Sequence, residues 1–244
     1  MKKIFLVIIS GLVLLCVISF NINSNPKGAV SLIKRNPDIA NARLVYRVSL
    51  FGILPVAEAV FEPVRTEQYG EGKTYHLSAT AKNLSVYSMF ISTEARLDSY
   101  IDIQMSSPML FKQKISTKGK ADAGKEVYYN QAEGVMTMAG IKRNIPFNTQ
   151  DPLSAVFNIR RMDFAKVKEF EMNINSNQKN YTLKADTRLK NGLVFLDAQI
   201  FRKDKNPYHR SNISMVLCGK ENIPALIKVF ASGVLINVKL IKIQ

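Results

Sequence analysis

Apolar and polar residues alternate one by one through segment after segment of this chain beyond about residue 42. A period of two places every second side chain on the same face of an extended strand, whereas a helix repeats its apolar residues every three or four positions. The apolar sets of the clearest segments are Leu44, Tyr46, Val48 and Leu50; Tyr75, Leu77, Ala79 and Ala81; Ala95, Leu97, Ile101 and Ile103; Phe170, Met172 and Ile174; and Tyr181, Leu183, Ala185 and Leu189. Each segment predicts a strand with one buried and one solvent-facing side.

Two later segments, 193–201 and 234–243, carry apolar residues on both faces, which indicates that something covers their second face. Turn-forming residues separate the segments, and Asn191-Gly192 is the strongest hairpin signal because a type I′ turn needs positive φ at both central positions. The pattern predicts about 11–13 strands in antiparallel order, without the strand–helix alternation of a parallel sheet.

One segment, Asp151 to Arg161, follows a helical pattern instead. Asp151 is a good N-cap whose carboxylate accepts the amide of Ser154, and Pro152 suits the first helical position. A stripe along the helix consists of Leu153, Val156, Phe157 and Arg160. Its apolar face has to pack on a sheet, so we expect a mainly antiparallel β fold, a curved half-open barrel packed around one α-helix. The mouth of such a barrel suits an apolar ligand.

The first 20 residues have the pattern of an export signal. Lys2 and Lys3 precede an uncharged apolar run from Ile4 to Phe20, and no small-residue cleavage motif follows. We expect residues 1–20 to be a signal peptide or an N-terminal membrane anchor, residues 21–41 a linker, and residues 42–244 a single β-rich domain. The positive-inside rule sends that domain out of the cytoplasm, so it is periplasmic or anchored to the inner membrane facing the periplasm.

The number of cysteines and the net charge limit the chemistry and the partners expected for the exported part of the chain. Acylation of Cys16 is disfavoured because Leu14 and Leu15 precede it, and without the leader Cys218 is the remaining cysteine, expected to be a buried thiol. Removal of the leader leaves 32 basic and 19 acidic residues, a net charge of +13. Such a charge attracts anionic phospholipid, lipopolysaccharide or wall polymers, or simply maintains solubility. The basic residues are dispersed and form no nucleic-acid-binding motif, so nucleic acid is not expected as a partner.

Residues that commonly perform catalysis are few. His76 falls on the polar side of its segment and is expected to be exposed, while His209 follows Pro207 in a turn-like stretch. The motifs of metallohydrolases, redox proteins, P-loop proteins and serine hydrolases are missing from the sequence. Asp98 and Asp102 are a conceivable carboxylate pair for a carbohydrate-active enzyme, although alternating charges on a strand are usually solvated. We therefore expect no catalytic residues, no metal site and no cofactor.

The stretch Gln150-Asp151-Pro152-Leu153-Ser154-Ala155-Val156-Phe157-Asn158-Ile159-Arg160 resembles the most recognisable motif of a bacterial exported family catalogued as domain of unknown function 3108. The resemblance begins near Ala42, includes Tyr46 and the turn Phe51-Gly52-Ile53, and continues to the C-terminus. It departs there, where the family tends to have a tryptophan and this chain has none.

That resemblance implies an antiparallel β fold with a helix, similar in outline to the half-barrels of periplasmic lipoprotein carriers, and it implies no activity. Asp151, Pro152, Leu153 and Ser154 carry the motif and are expected to be structural. Arg160 carries it too; its side chain either extends past the apolar stripe to solvent, holds a buried carboxylate, or binds an anionic head group, which makes it the candidate ligand-binding residue. The favoured function is a non-enzymatic envelope protein that binds a hydrophobic or lipid-like ligand. The alternatives are an envelope scaffold or assembly protein without a small ligand and, least favoured, a carbohydrate-active enzyme.

Overall fold

One antiparallel sheet of fifteen strands forms the described part of the chain. The computed structural model describes residue 30 and residues 41–70, 72–88, 92–104, 106–202, 211–231 and 233–244. The strands are β1 (Leu44–Leu50), β2 (Leu54–Phe61), β3 (Arg65–Tyr69), β4 (Gly72–Asn83), β5 (Thr93–Asp102), β6 (Pro108–Thr117), β7 (Ala123–Asn130), β8 (Val135–Met138), β9 (Ile141–Asn144), β10 (Glu169–Ser176), β11 (Lys179–Lys190), β12 (Leu193–Arg202), β13 (Ser211–Cys218), β14 (Ile223–Ala231) and β15 (Val234–Ile243). The helices are α1 (Ser85–Ser88) and α2 (Pro152–Arg160).

Neighbouring strands of the sheet are mostly neighbours in sequence. The spatial order is β10-β11-β12-β13-β14-β15-β1-β2-β4-β5-β6-β7-β8-β9. Strand β3 lies off this path and pairs with the first residues of β4, 72–76. β15 pairs with β1, which brings the two ends of the strand series together in the middle of the sheet. β9 and β10 are therefore the two edges of an open sheet rather than partners in a closed barrel.

The antiparallel register gives the sheet two rims. The upper rim contains the β1–β2, β4–β5, β6–β7, β10–β11 and β14–β15 connections, and the lower rim contains the β5–β6, β7–β8, β11–β12 and β13–β14 connections. Helix α2 ends at the lower rim, where Asn158 and Asn222 connect it to the β5–β6 and β13–β14 turns.

The segment before α2 partly bridges the gap between the two edges. The backbone amide of Gln150 donates a hydrogen bond to the Asn173 carbonyl at 2.8 Å, and the backbone carbonyl of Gln150 accepts one from the backbone amide of Asn175 at 2.8 Å. Asn180 also donates a side-chain hydrogen bond to the Asn144 carbonyl at 2.9 Å. The sheet thus curls until its edges approach, and α2 enters the concave side from the gap.

The predicted fold class is confirmed: the chain is mainly antiparallel β, curved and unclosed, with α2 on its concave side. The described strand count is fifteen rather than the expected 11–13. Three of the fifteen, β3, β8 and β9, are only four or five residues long. All four residues of β9 are exposed, so no alternation marks it in the sequence. The Asn191-Gly192 turn has the predicted positive φ at both positions, 54° and 72°.

Three groups of buried side chains fill the concave side. One lies on β1, β2 and β13–β15, one joins β10–β13 to α2, and one joins β4–β8 to the start of α2. Cys218 is buried, as expected. Among the described residues, no helix has the length and apolarity needed to cross a bilayer. The leader, including Cys16, residues 21–29 and 31–40 of the linker, and His209 lie outside the described residues.

Candidate functional site

Helix α2 begins at a fully buried aspartate. The Asp151 carboxylate accepts the amides of Leu153 at 2.8 Å and Ser154 at 3.0 Å, and the Ser154 hydroxyl accepts the Asp151 amide at 2.9 Å. A second oxygen of Asp151 accepts a 2.6 Å hydrogen bond from the hydroxyl of Ser99 on β5. The predicted N-cap is therefore present, and Ser99 attaches it to the sheet. Pro152 occupies the first turn, where its missing amide leaves no donor unsatisfied.

The buried cap lies in an environment that disfavours charge. Burial raises the pKa of Asp151, although the hydrogen bonds from Ser99, Ser154 and Leu153 counteract part of the effect. Tyr129, on β7, has a pKa raised well above its ordinary value by burial and by the nearby Asp151 carboxylate. The role of the Asp151 carboxylate is structural, because its oxygens accept hydrogen bonds from the first turn of the helix and from Ser99.

The other end of α2 is held at the lower rim. Asn158 donates to the Ser106 carbonyl at 2.7 Å, and Asn222 donates to the carbonyls of Arg160 and Met162 at 2.9 Å each. The guanidinium of Arg161 lies 5.2 Å from the centre of the Phe157 ring. Side-chain amides therefore satisfy carbonyls that the end of a helix leaves open.

Helix α2 is buried on two sides. Ala155 and Ile159, which do not belong to the predicted stripe, pack with β10–β13. The stripe of Leu153, Val156 and Phe157 turns the other way, toward β2, β4 and β5. The helix consequently separates two halves of the concave side, and a cleft remains on the stripe's side.

The cleft between α2 and the sheet is lined mainly by small apolar side chains. Ala59, Ala79, Ala81 and Ala95 form its sheet wall, and the helix stripe faces them. Two adjacent cavities lie along it, of about 40 Å³ and about 30 Å³, and share Phe61, Leu153 and Val156. The second cavity opens between the end of β2 and the end of α2.

Arg160 lies at that opening and is half-buried. Its Nε donates a long hydrogen bond of 3.4 Å to the Glu221 carbonyl, and no carboxylate of the described chain lies within salt-bridge distance of it. Burial lowers the pKa of Arg160, while Tyr46 and Glu221 oppose the shift. Burial also raises the pKa of Tyr46, with a smaller opposing effect of Arg160. Glu62, at the same opening, is paired with Arg43 at 3.1 Å.

The prediction that His76 is exposed is wrong. His76 is only 9% exposed, and its Nδ1 and Nε2 lie 2.9 Å from carboxylate oxygens of Glu67 and Asp98, respectively. Its ring stacks on Tyr100, with centroids 4.5 Å apart and planes 5° apart. The short strand β3 supplies Glu67 and, with Tyr100, covers the outer side of β4. No local pattern around His76 predicts this burial, because the residues that cover the ring come from two other strands.

The two aspartates considered as a carboxylate pair have separate structural tasks. Asp98 is buried, contrary to the expectation of a solvated strand face, and Arg96 donates to both of its oxygens at 2.8 and 3.1 Å. Asp102 accepts the amide of Gln104 in the β5–β6 turn at 2.8 Å. Four strand residues correspond to about 13 Å, beyond the roughly 5 to 9.5 Å between the carboxylates of glycosidases. The described residues contain no group of three or more His, Cys, Asp or Glu suited to a metal ion.

A larger space of about 500 Å³ lies along β10 and β11. It is bordered by Glu169, Glu171, Lys184 and Asp186, and Glu171 and Lys184 form a 2.6 Å ion pair. Charged walls of this kind do not suit an apolar ligand, so volume alone does not identify the candidate site. The alanine-lined cleft and Arg160 form the more informative constellation.

The fold and the cleft define a class, that of open β-barrel-like proteins with an internal helix. A crystal structure described as a beta-barrel-like protein of domain of unknown function DUF1849 from Brucella abortus is similar, with a TM-score of 0.53. The two sequences are 13% identical, and the similarity covers 84% of this chain and 98% of that one. At that identity the likeness concerns the fold.

The chain belongs to the family described as protein of unknown function (DUF3108), whose model matches residues 45–191. The match begins at the second residue of β1 and includes β2 to β11 and the whole of α2. It ends at the β11–β12 turn, so the C-terminal strands, for which the sequence also suggested a resemblance, are not part of it. A comparison with curated proteins gave no significant match.

Proposed function

We propose that this protein is a non-enzymatic protein of the cell envelope that binds an amphipathic, anionic, lipid-like molecule in the cleft between α2 and the sheet. One observation carries the proposal. A half-buried guanidinium, that of Arg160, lies at the opening of an alanine-lined apolar cleft without a carboxylate partner in the described chain.

The chemistry of the cleft matches the two parts of such a molecule. Its walls provide apolar contact for a hydrocarbon chain, which gains about 0.8 kcal/mol for each CH₂ group removed from water. A guanidinium binds carboxylate or phosphate oxygens through two parallel hydrogen bonds, and these bonds strengthen where water is excluded. Arg160 would hold the acidic head at the opening while the chain lies against Ala79 and Ala95.

Binding requires the cleft to widen. Ligand sites generally measure about 300 to 1,000 Å³, whereas the two cavities measure about 40 and 30 Å³. Widening would start at the alanine wall, where Val156 faces small side chains, whereas Phe157 of the stripe packs against the Tyr75 ring at 5.5 Å and would have to move with it. The opposite side of α2, with Ile159 in the core, would stay in place.

The proposed envelope location is supported by the leader, whose pattern predicts export, and the basic charge of the remaining chain is compatible with anionic partners there. Periplasmic residence, or attachment to the inner membrane through the uncut leader, would bring the cleft close to lipids. Oligomeric state plays no part in the proposal, because the cleft is formed within one chain.

Titration with cis-parinaric acid, a fluorescent fatty acid, and with its methyl ester tests the proposal. We expect saturable binding of the acid and weaker binding of the ester, since the ester lacks the charge that Arg160 pairs with. Arg160→Gln should weaken binding of the acid by about tenfold to a hundredfold, corresponding to a charged hydrogen bond of about 1.5 to 3 kcal/mol. Arg143→Gln, on the exposed strand β9, is the matched control and should change nothing.

Equal affinities for acid and ester, or an Arg160→Gln variant that binds the acid like the wild type, would exclude the assigned role of Arg160. Absence of binding of both probes would exclude the cleft as a lipid site.

The second candidate is an envelope scaffold whose concave side is filled by its own side chains. The small cavities and the hydrogen bonds that hold both ends of α2 favour it. Under this candidate neither probe binds, and a substitution that fills the cleft, such as Ala79→Val, leaves the biological function intact.

A further inference from the structure

The upper rim carries an apolar projection that packing among the described residues does not explain. The β1–β2 turn exposes Phe51 by 49%, Ile53 by 78% and Leu54 by 45%, and Val86 of α1 is 65% exposed. The amide of Leu84 bonds the carbonyl of Val56 at 3.0 Å, so α1 begins beside the first residues of β2. We call Phe51, Ile53, Leu54 and Val86 the apolar tip.

The backbone of the turn is strained in a way that holds the phenylalanine outward. Phe51 has a φ of 52° and Gly52 a φ of 77°, and the amide of Ile53 bonds the Leu50 carbonyl at 3.2 Å. Turns with two positive φ angles normally have asparagine or aspartate before the glycine. A bulky residue is unfavourable there. At Phe51, positive φ therefore coincides with an aromatic side chain that is half exposed to solvent.

Positive charge accompanies the apolar tip on the same rim. Lys118 and Lys120 are exposed in the β6–β7 turn, and the amide of Lys118 bonds the Ser92 carbonyl at 2.8 Å, beside the residues that precede β5. Acidic groups near these connections are neutralised: Glu94 pairs with Lys82 at 2.9 Å and Asp122 with Lys114 at 2.8 Å. Neither Lys118 nor Lys120 forms an ion pair with a described residue.

We propose that the apolar tip inserts into the surface of an anionic phospholipid bilayer, with Lys118 and Lys120 against the lipid phosphates. Exposed apolar side chains are unfavourable in water and become favourable once the tip lies among acyl chains. Lysines near an anionic surface add attraction that salt weakens. The tip lies on the rim opposite the Arg160 opening, so this inference stands independently of ligand binding in the cleft.

A single introduced tryptophan gives a site-specific test, because the chain contains none. The full chain is reconstituted with vesicles of phosphatidylglycerol and phosphatidylcholine, with and without brominated acyl chains, and carries either Phe51→Trp or Leu189→Trp. Leu189 is 55% exposed at the end of β11 on the lower rim and is the matched control. We expect the emission of Phe51→Trp to shift to shorter wavelength and to be quenched by bromine, and that of Leu189→Trp to change in neither respect.

Adding Lys118→Ala and Lys120→Ala to the Phe51→Trp chain should lower the affinity of the tip for these vesicles by about tenfold. Emission from Phe51→Trp that vesicles leave unchanged would overturn the proposal. So would a shift that needs no lipid and grows with protein concentration, because a second copy of the chain would then cover the tip.

The strain itself is tested separately by Phe51→Asn. Asparagine adopts positive φ readily, so the melting temperature of this variant should be equal to or higher than that of the wild type. A fall in melting temperature would mean that Phe51 stabilises the folded chain by packing, and would remove the reason for assigning it to the membrane.

Discussion

At the scale of single residues, Asp151 shows how local chemistry and long-range contacts combine. Its role as N-cap was predictable from Asp-Pro at a helix start, because that chemistry concerns only neighbouring positions. The hydrogen bond from Ser99 was not predictable, since 52 residues separate the two side chains. The same limit applies to His76, whose carboxylate partners come from β3 and β5.

Replacing Asp151 by alanine should lower the free energy of unfolding by about 2 kcal/mol or more, because two helix amides and the Ser99 hydroxyl lose their acceptor. Asp151→Asn keeps one acceptor oxygen and should be clearly milder. Urea unfolding followed by circular dichroism measures both variants, and equal effects would mean that the hydrogen bonds to the cap contribute little.

The lowered pKa of Asp98 predicts that the free energy of unfolding depends on pH in the acid range. Burial alone would raise its pKa, but hydrogen bonds from Arg96, His76 and Ser78 outweigh burial and lower it. The ionised carboxylate therefore stabilises the folded state above the unfolded pKa of about 3.9, and this contribution disappears as pH falls through the lower, folded pKa. The wild type should exceed Asp98→Asn in stability at neutral pH, and the difference should shrink in acid.

Unfolding curves collected at a series of pH values give this difference directly. Asp186→Asn, on the exposed side of β11, is the matched control and should leave the acid dependence unchanged. A difference between wild type and Asp98→Asn that stays constant down to acid pH would contradict the assignment.

At the scale of elements, α2 is the piece that organises the concave side. The helix itself and the Asn191-Gly192 turn could be anticipated from the sequence, whereas the packing on β10–β13 involves Ala155 and Ile159, which lie outside the predicted stripe. The cleft on the other side of α2 could not be anticipated, because in the sequence the stripe of Leu153, Val156 and Phe157 has the pattern of a helix face packed in a core. The alanines of β2, β4 and β5 become a wall only when the register aligns them.

The two sides of α2 should respond differently to truncation. Ile159→Ala removes a side chain that is 2% exposed in a packed core and should lower the free energy of unfolding by about 3 kcal/mol. Val156→Ala, beside the existing cavities, should lower it by about 1 kcal/mol, since less packing is lost. Chemical unfolding of the two variants measures this ratio, and equal losses would show that the cleft is packed as tightly as the core.

At the scale of the whole molecule, the sequence alternation determined the class of fold but not its closure. Short strands such as β9 have no period to detect, and the approach of the two sheet edges depends on the curl of fourteen pairings. The result is a sheet with a basic exterior, an apolar tip on one rim and the Arg160 opening on the other. If both proposals hold, the rim that contacts the membrane and the ligand cleft lie at opposite ends of the same sheet.

The most direct test of the central claim is native mass spectrometry of the protein extracted gently from its own membranes, as wild type and as Ala79→Val. Valine fills the cavity against which the chain of the ligand would lie, at a position where Ala79 is buried in the strand β4. The account predicts a reproducible adduct of lipid mass on the wild type and its loss from Ala79→Val. A wild type that carries no lipid and also fails to take up added fatty acid would contradict the account and leave the scaffold in its place.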